Sequence, residues 1–155
     1  HQLVRHRIAS FSQQSQRYVD SSGGGCVMPP SVAASPEAAK VFSDSVRASM
    51  EAYRALCSMG IPREDARFLL PHGFETRMVF TMNARELHHF FSLRLCRRAQ
   101  WEIRALALEM LRLVRGVAME LFRLAGPSCV VNGRCDEERP CGRPFSSVED
   151  LLCSS

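Results

Sequence analysis

Arg5-His6-Arg7 puts two guanidinium groups on either side of an imidazole, and the ten residues that follow, Ile8 to Arg17, add hydroxyls and amides, no acid, and a closing arginine. Arginine presents a planar fork of donors that matches phosphate and carboxylate oxygens in pairs, while Ser and Gln contribute short neutral donors. The stretch is chemically suited to holding an oxyanion. On composition alone it is also a solvated, arginine-bearing surface loop, because charge runs are commonly wet faces. Arginines with small polar partners recur down the chain: Arg67 after Glu64-Asp65, Arg85 between Asn83 and His89, and Arg94. Brought to one cleft, they would draw in a phosphate monoester or a pyrophosphate. Other chemistries find little support. There is no Walker or dinucleotide glycine loop, no carboxylate pair placed for hydrolysis and no ordered Ser/His/Asp set. Cys96 lies among Arg94, Arg97 and Arg98, whose charges would stabilise a thiolate; a packed helical thiol is the plainer reading.

The chain that must position these groups has 155 residues, 46% hydrophobic and 23% charged, enough for one globular domain with a sizeable core. That composition excludes disordered and collagen-like classes. No apolar run approaches the ~18 residues of a membrane span, and no signal-like leader is evident, so a soluble, cytoplasmic protein is expected. The net charge is only +4, but Lys40 is the sole lysine, so the positive charge is nearly all arginine. This favours bidentate recognition of a defined phosphorylated ligand over diffuse attraction to nucleic acid. The seven cysteines are odd in number and widely scattered, which points to reduced thiols. The first residue is His1, and the anion-binding stretch starts almost at once; an upstream segment is expected in the natural protein.

Gln2 to Arg7 reads as the end of a helix or a strand feeding a polar loop. Residues 19–35 read as a linker, flexible at Gly23-Gly24-Gly25 and stiffened at Pro29-Pro30. Ser35-Pro36-Glu37 starts a helix, with a capping hydroxyl, a first-position proline and a first-turn acid, and Gly60 should stop it. Its apolar positions, Ala39, Phe42, Val46, Met50, Tyr53, Leu56 and Cys57, make one buried face. A short helix over 63–69 and a strand over 76–82 follow. Asn83 caps a helix through about Arg94 on which Arg85 and His89 share a face, while Arg94 is turned roughly half a turn away. The longest helix, expected over 98–124, is apolar around most of its circumference and needs cover on several sides, which implies an oligomer; Gly116 suggests a close backbone approach. Beyond Gly126-Pro127 the tail reads as irregular, with Cys129, Cys135 and Cys141 at intervals of six and no CxxC pair. Three thiols fall one short of zinc's usual four ligands, so no metal is expected. Residues 144–155 read as a loosely attached end.

Arg5-His6-Arg7, seven residues, then Ser15 resembles the RHRx7S signature of the flavin-dependent thymidylate synthases. Further blocks match in order: Glu64-Asp65-Ala66-Arg67, Thr81-Met82-Asn83-Ala84-Arg85-Glu86-Leu87-His88-His89-Phe90, Leu93-Arg94 and Ala99-Gln100-Trp101-Glu102-Ile103-Arg104. The resemblance covers about residues 1–125, a synthase domain lacking its N-terminal segment, with 126–155 as a cysteine-containing tail. It implies an α/β fold of the α+β type, a small and mostly antiparallel sheet flanked by long helices, in a homotetramer whose active sites lie where subunits meet.

The activity implied is that of a methyltransferase converting dUMP to dTMP, with FAD as flavin, methylenetetrahydrofolate as carbon donor and NADPH as reductant. By resemblance Arg5, His6, Arg7, Ile8, Asn83, Arg85 and His89 would contact FAD. Gln2, Arg5, Gln13, Gln14, Ser15, Gln16, Arg17 and Arg67 would line the dUMP site, with Arg17 and Arg67 on the phosphate and Arg94 at the uracil as the catalytic cation. No metal, nucleic acid or membrane enters this reading. Ser12-Gln13 replaces the Asn-Glu found in many members, which exchanges a carboxylate for a neutral amide. A non-catalytic nucleotide- or RNA-binding module, or an inactive fragment of the synthase, is the alternative.

Overall fold

A computed structural model describes residues 2–154, a mixed α+β chain with one two-stranded sheet and seven α-helices among the described residues. They group into two compact units: a middle unit, Ser12–Val79, and a flanking unit formed by the residues up to Phe11 and from Phe80 onward. The strands, β1 (Ala9–Gln13) and β2 (Met78–Met82), each contribute to both. Phe11 lies 6.3 Å from Phe80 between ring centroids, and Gln14 N donates to Arg77 O at 2.9 Å, so the pair runs antiparallel. β2 starts two residues later than expected. β1 replaces the expected polar loop: Ala9 and Phe11 turn half-buried side chains to one face while Ser10 and Ser12 stay exposed. Before it, Leu3–Arg5 makes a single 3-10 turn.

In the middle unit the supposed linker is held. Val27 N donates to Gly73 O at 2.8 Å and Glu75 N to Gly25 O at 3.0 Å, with Cys26 bridged antiparallel to Phe74. Gly24 lets the Phe74 ring lie close against the backbone: a Cβ there would stand 2.2 Å from the ring tip and push it aside. The segment then makes a short helix, α1 (Pro30–Ala33). The long helix α2 (Pro36–Ser58) begins as expected, with Ser35 Oγ accepting from Ala38 N, and ends before Gly60 at φ +83°. Of its apolar face only Met50 and Tyr53 are fully buried, and the Tyr53 hydroxyl accepts from Ser21 N at 3.3 Å. The expected helix over 63–69 is α3 (Arg63–Ala66) continued by a 3-10 turn, Arg67–Leu69.

The flanking unit holds the larger core. Phe90, Phe91 and Leu95 of and just after α4 (Ala84–Arg94) pack on Ile103, Ala107, Leu108 and Leu111 of α5 (Trp101–Val117). α5 is shorter at both ends than expected. The Gln100 side chain accepts from Glu102 N and Ile103 N and so starts the helix at Trp101, and Ala118 leaves the helical region at φ −142°, ψ 63°. Among the described residues nothing beyond the helix's own backbone lies within 4 Å of where a Gly116 Cβ would stand, so the expected close approach is not made there. The far side of α5 stays open, with Leu113 71% and Val117 91% exposed.

The tail is not loose. After α6 (Ser128–Val131), helix α7 (Val148–Cys153) and the residue three before it bury Phe145, Val148 and Leu151 in the core. α5 also grips α7's end: Arg112 Nη2 donates to Leu152 O at 2.8 Å and Arg104 Nη2 to Ser154 O at 3.1 Å. No helix among the described residues is long and apolar enough to cross a membrane.

Candidate functional site

In the flanking unit the site is built on the start of α4. Asn83 caps the helix, its Oδ1 accepting from Glu86 N at 2.9 Å. A glutamate three residues after such a cap ordinarily folds back on it. Glu86 instead is buried and turned to His6, with Nδ1 to Oε1 at 3.0 Å. On the other edge of the imidazole, Arg94 Nε donates to His6 Nε2 at 3.2 Å, and Arg94 Nη2 donates to Gln2 O at 3.0 Å. Since guanidinium can only donate, Nε2 must accept, which leaves the ring's proton on Nδ1 facing Glu86. His6 is thus a neutral imidazole with both nitrogens engaged. Its pKa is lowered, first by burial and then by the Arg94 charge, against the opposing pull of its Glu86 hydrogen bond.

His89 packs edge-on to the same ring, 5.4 Å between centroids, so His6 bridges the two helix faces that carry His89 and Arg94. The ligand atoms of His6, Glu86 and His89 lie within 4.8 Å of one another. In this arrangement the His6 ring has no lone pair to spare, because Nε2 accepts from Arg94 and the Nδ1 proton faces Glu86. Arg5, Arg7, Ile8 and Arg85 are exposed.

In the middle unit, Gln14, Ser15 and Gln16 line a cavity of about 360 Å³ together with Gly23, Gly24 and Gly25. That is the size of a small-ligand pocket. Ser15 organises its own loop, its Oγ accepting from Arg17 N at 3.2 Å, and Gln13 Nε2 donates to Thr76 Oγ1 at 3.2 Å. Neither Arg17 nor Arg67 lines the cavity. The two arginines instead converge on Glu64. Arg17 donates to its Oε2 from Nε at 3.0 Å and Nη2 at 2.7 Å, while Arg67 Nε donates to its carbonyl at 3.1 Å.

Glu86 and Glu64 are the two functional neighbours to which sequence reasoning gave no role. The signals for Glu86 were its place in the Thr81–Phe90 block and its position three residues after the Asn83 cap, and Glu64 stood openly in the block of the arginine it serves. The arginines around Cys96 do not lower its thiol pKa: burial pushes it up, against a backbone hydrogen bond at Arg98, and Glu137, Cys141 and Cys129 add to the rise.

Residues 1–118 match the family model described as thymidylate synthase complementing protein. The chain is 61% identical over 139 residues to a flavin-dependent thymidylate synthase of Geobacter sulfurreducens, covering 88% of this chain and 60% of that one. It is 50% identical over 153 residues to the Nitratidesulfovibrio vulgaris protein of the same name (92% and 62%), and 46% identical over 160 residues to that of Clostridium tetani (92% and 64%). The chain therefore spans less than two thirds of the length of these curated relatives. With a family match over residues 1–118 and a relative 61% identical over 88% of its length, the chain belongs to the thymidylate synthase complementing protein family.

Proposed function

We propose that this chain is the greater part of a flavin-dependent thymidylate synthase, with that family's α+β fold, acting on dUMP with methylenetetrahydrofolate as carbon donor and NADPH as reductant in a homotetramer. The observation that carries the reading is Arg94, a guanidinium held in fixed orientation by the buried His6 ring and the Gln2 carbonyl. A cation fixed beforehand beside a pyrimidine stabilises negative charge as it develops there, with no reorganisation at the moment of reaction. Arg94 is the residue proposed for that position.

The residues present fit a flavin dinucleotide. Arg5, Arg7 and Arg85 are exposed, and their side chains enter no hydrogen bond or ion pair among the described residues, so their donors remain for an anionic ligand such as a pyrophosphate. When bound, FAD supplies the hydride that the methyl group requires. Arg5, His6, Arg7, Ile8, Asn83, Arg85 and His89 are proposed to hold it, with the buried His6 also orienting Arg94. Gln13, Gln14, Ser15 and Gln16 are proposed for the nucleotide, and Arg17 and Arg67 for its phosphate. Remote phosphate binding is what orients the reacting ring.

The test is a division of labour. Purified protein should be yellow and should release tritium from dUMP labelled on the uracil. Arg94→Ala should lower kcat by ~100-fold with little change in the dUMP KM, and Arg67→Ala should raise that KM by ~10-fold with a smaller loss in kcat. A colourless, well-folded protein that binds RNA with a steep salt dependence would overturn the reading.

A further inference from the structure

Four of the seven thiols, Cys96, Cys129, Cys135 and Cys141, line one cavity of about 160 Å³ in the flanking unit. In sequence the tail offers three, one short of zinc's set; folding brings the fourth, Cys96, from the turn just after α4. Cys129 is on α6, and Cys135 and Cys141 stand on the long stretch without regular structure between α6 and α7. A stretch of that length inside a compact fold calls for something to organise it. Two glycines at positive φ, Gly133 at 69° and Gly142 at 72°, give it tight turns beside Cys135 and Cys141.

We propose that these four cysteines form a structural zinc site that closes the tail onto the end of α4. The donor chemistry fits: a closed tetrathiolate set is the usual structural arrangement for zinc, and all four cysteines are free. On binding, each thiol gives its proton to solvent, so the centre becomes doubly negative. Arg97 and Arg143 line the same cavity and offset that charge, with Arg97 Nε donating to Arg143 O at 2.9 Å and its guanidinium 3.9 Å from the Phe145 ring. The pair Arg98 to Glu137, at 2.9 Å, holds the stretch between Cys135 and Cys141 to the same turn as Cys96. The thiols share the cavity without standing at ligand distance, since no three of the described cysteines have sulfurs within 4.8 Å of one another. The metal is what draws the irregular stretch in, as binding and local folding are coupled in such sites.

The experiment uses the whole chain. Protein purified without chelator should carry one zinc per chain by elemental analysis. Replacement with cobalt should give the intense near-ultraviolet thiolate charge-transfer bands and the red absorption of a tetrahedral centre. Cys96→Ser, Cys129→Ser, Cys135→Ser and Cys141→Ser should each lose the metal or lower the charge-transfer intensity by about a quarter, whereas Cys26→Ser, Cys57→Ser and Cys153→Ser should leave both unchanged. Should any variant fail to fold, titration of the wild-type protein with a mercurial decides, because the zinc should leave stoichiometrically as the thiols are modified. Absence of zinc together with a cobalt spectrum lacking thiolate bands would overturn the proposal. So would an unchanged cobalt spectrum in Cys96→Ser.

Discussion

The His6 imidazole lies between an acid and a guanidinium, and its proton can sit on only one side. Protonating it would place a second N–H against the Arg94 Nε–H and remove the acceptor that orients that side chain. Because the folded-state pKa is depressed, the unfolded chain binds the extra proton first. The stability carried by the neutral ring is therefore complete above the ordinary histidine value of 6.5 and is lost as pH falls through the lowered one. Urea unfolding of the wild type should weaken as pH falls below 6.5 more steeply than that of His6→Gln, which keeps an acceptor without the titration. Parallel slopes for the two proteins would refute the assignment. The arginines of this site were legible in the sequence from type and spacing, but the buried Glu86 was not. A glutamate three residues after an Asn cap looks like ordinary capping until the fold places a histidine 80 positions away beside it.

At the scale of elements, what could be read beforehand was what local rules determine. The Ser35-Pro36 start and Gly60 stop of α2, and the Asn83 cap of α4, are signalled within a few residues, and they appear where expected. β1 was invisible because a short run of Ala, Ser, Phe and Gln has little strand propensity; pairing with β2 supplies what the residues lack. The tail was misjudged because Phe145, Val148 and Leu151 form too brief a pattern to declare a helix. Only the core they enter reveals it. Leu151 is 1% exposed, so Leu151→Ala should cost about 2–5 kcal/mol in urea unfolding of the whole chain. An unchanged midpoint would mean that α7 is as dispensable as its sequence suggests.

At the scale of the molecule, the exposed side of α5 bears on assembly. Leu113 and Val117 are four positions apart on one face and largely bare, beside the half-buried Val114. A contiguous apolar strip of this kind marks a surface that other protein covers, and in the proposed homotetramer it would be a subunit contact. The double change Leu113→Glu, Val117→Glu should lower the mass measured by light scattering while leaving far-ultraviolet circular dichroism intact. Retention of the full mass would exclude this face. The molecule also treats its two kinds of arginine differently. Arg17 touches its carboxylate directly, so much of its charge is spent within the fold, and a phosphate would have to compete for it. Arg94 is denied that contact: its balancing carboxylate, Glu86, stands on the far side of a neutral ring. The imidazole works as a spacer, fixing the guanidinium in place while keeping the opposing carboxylate one ring's width away from it.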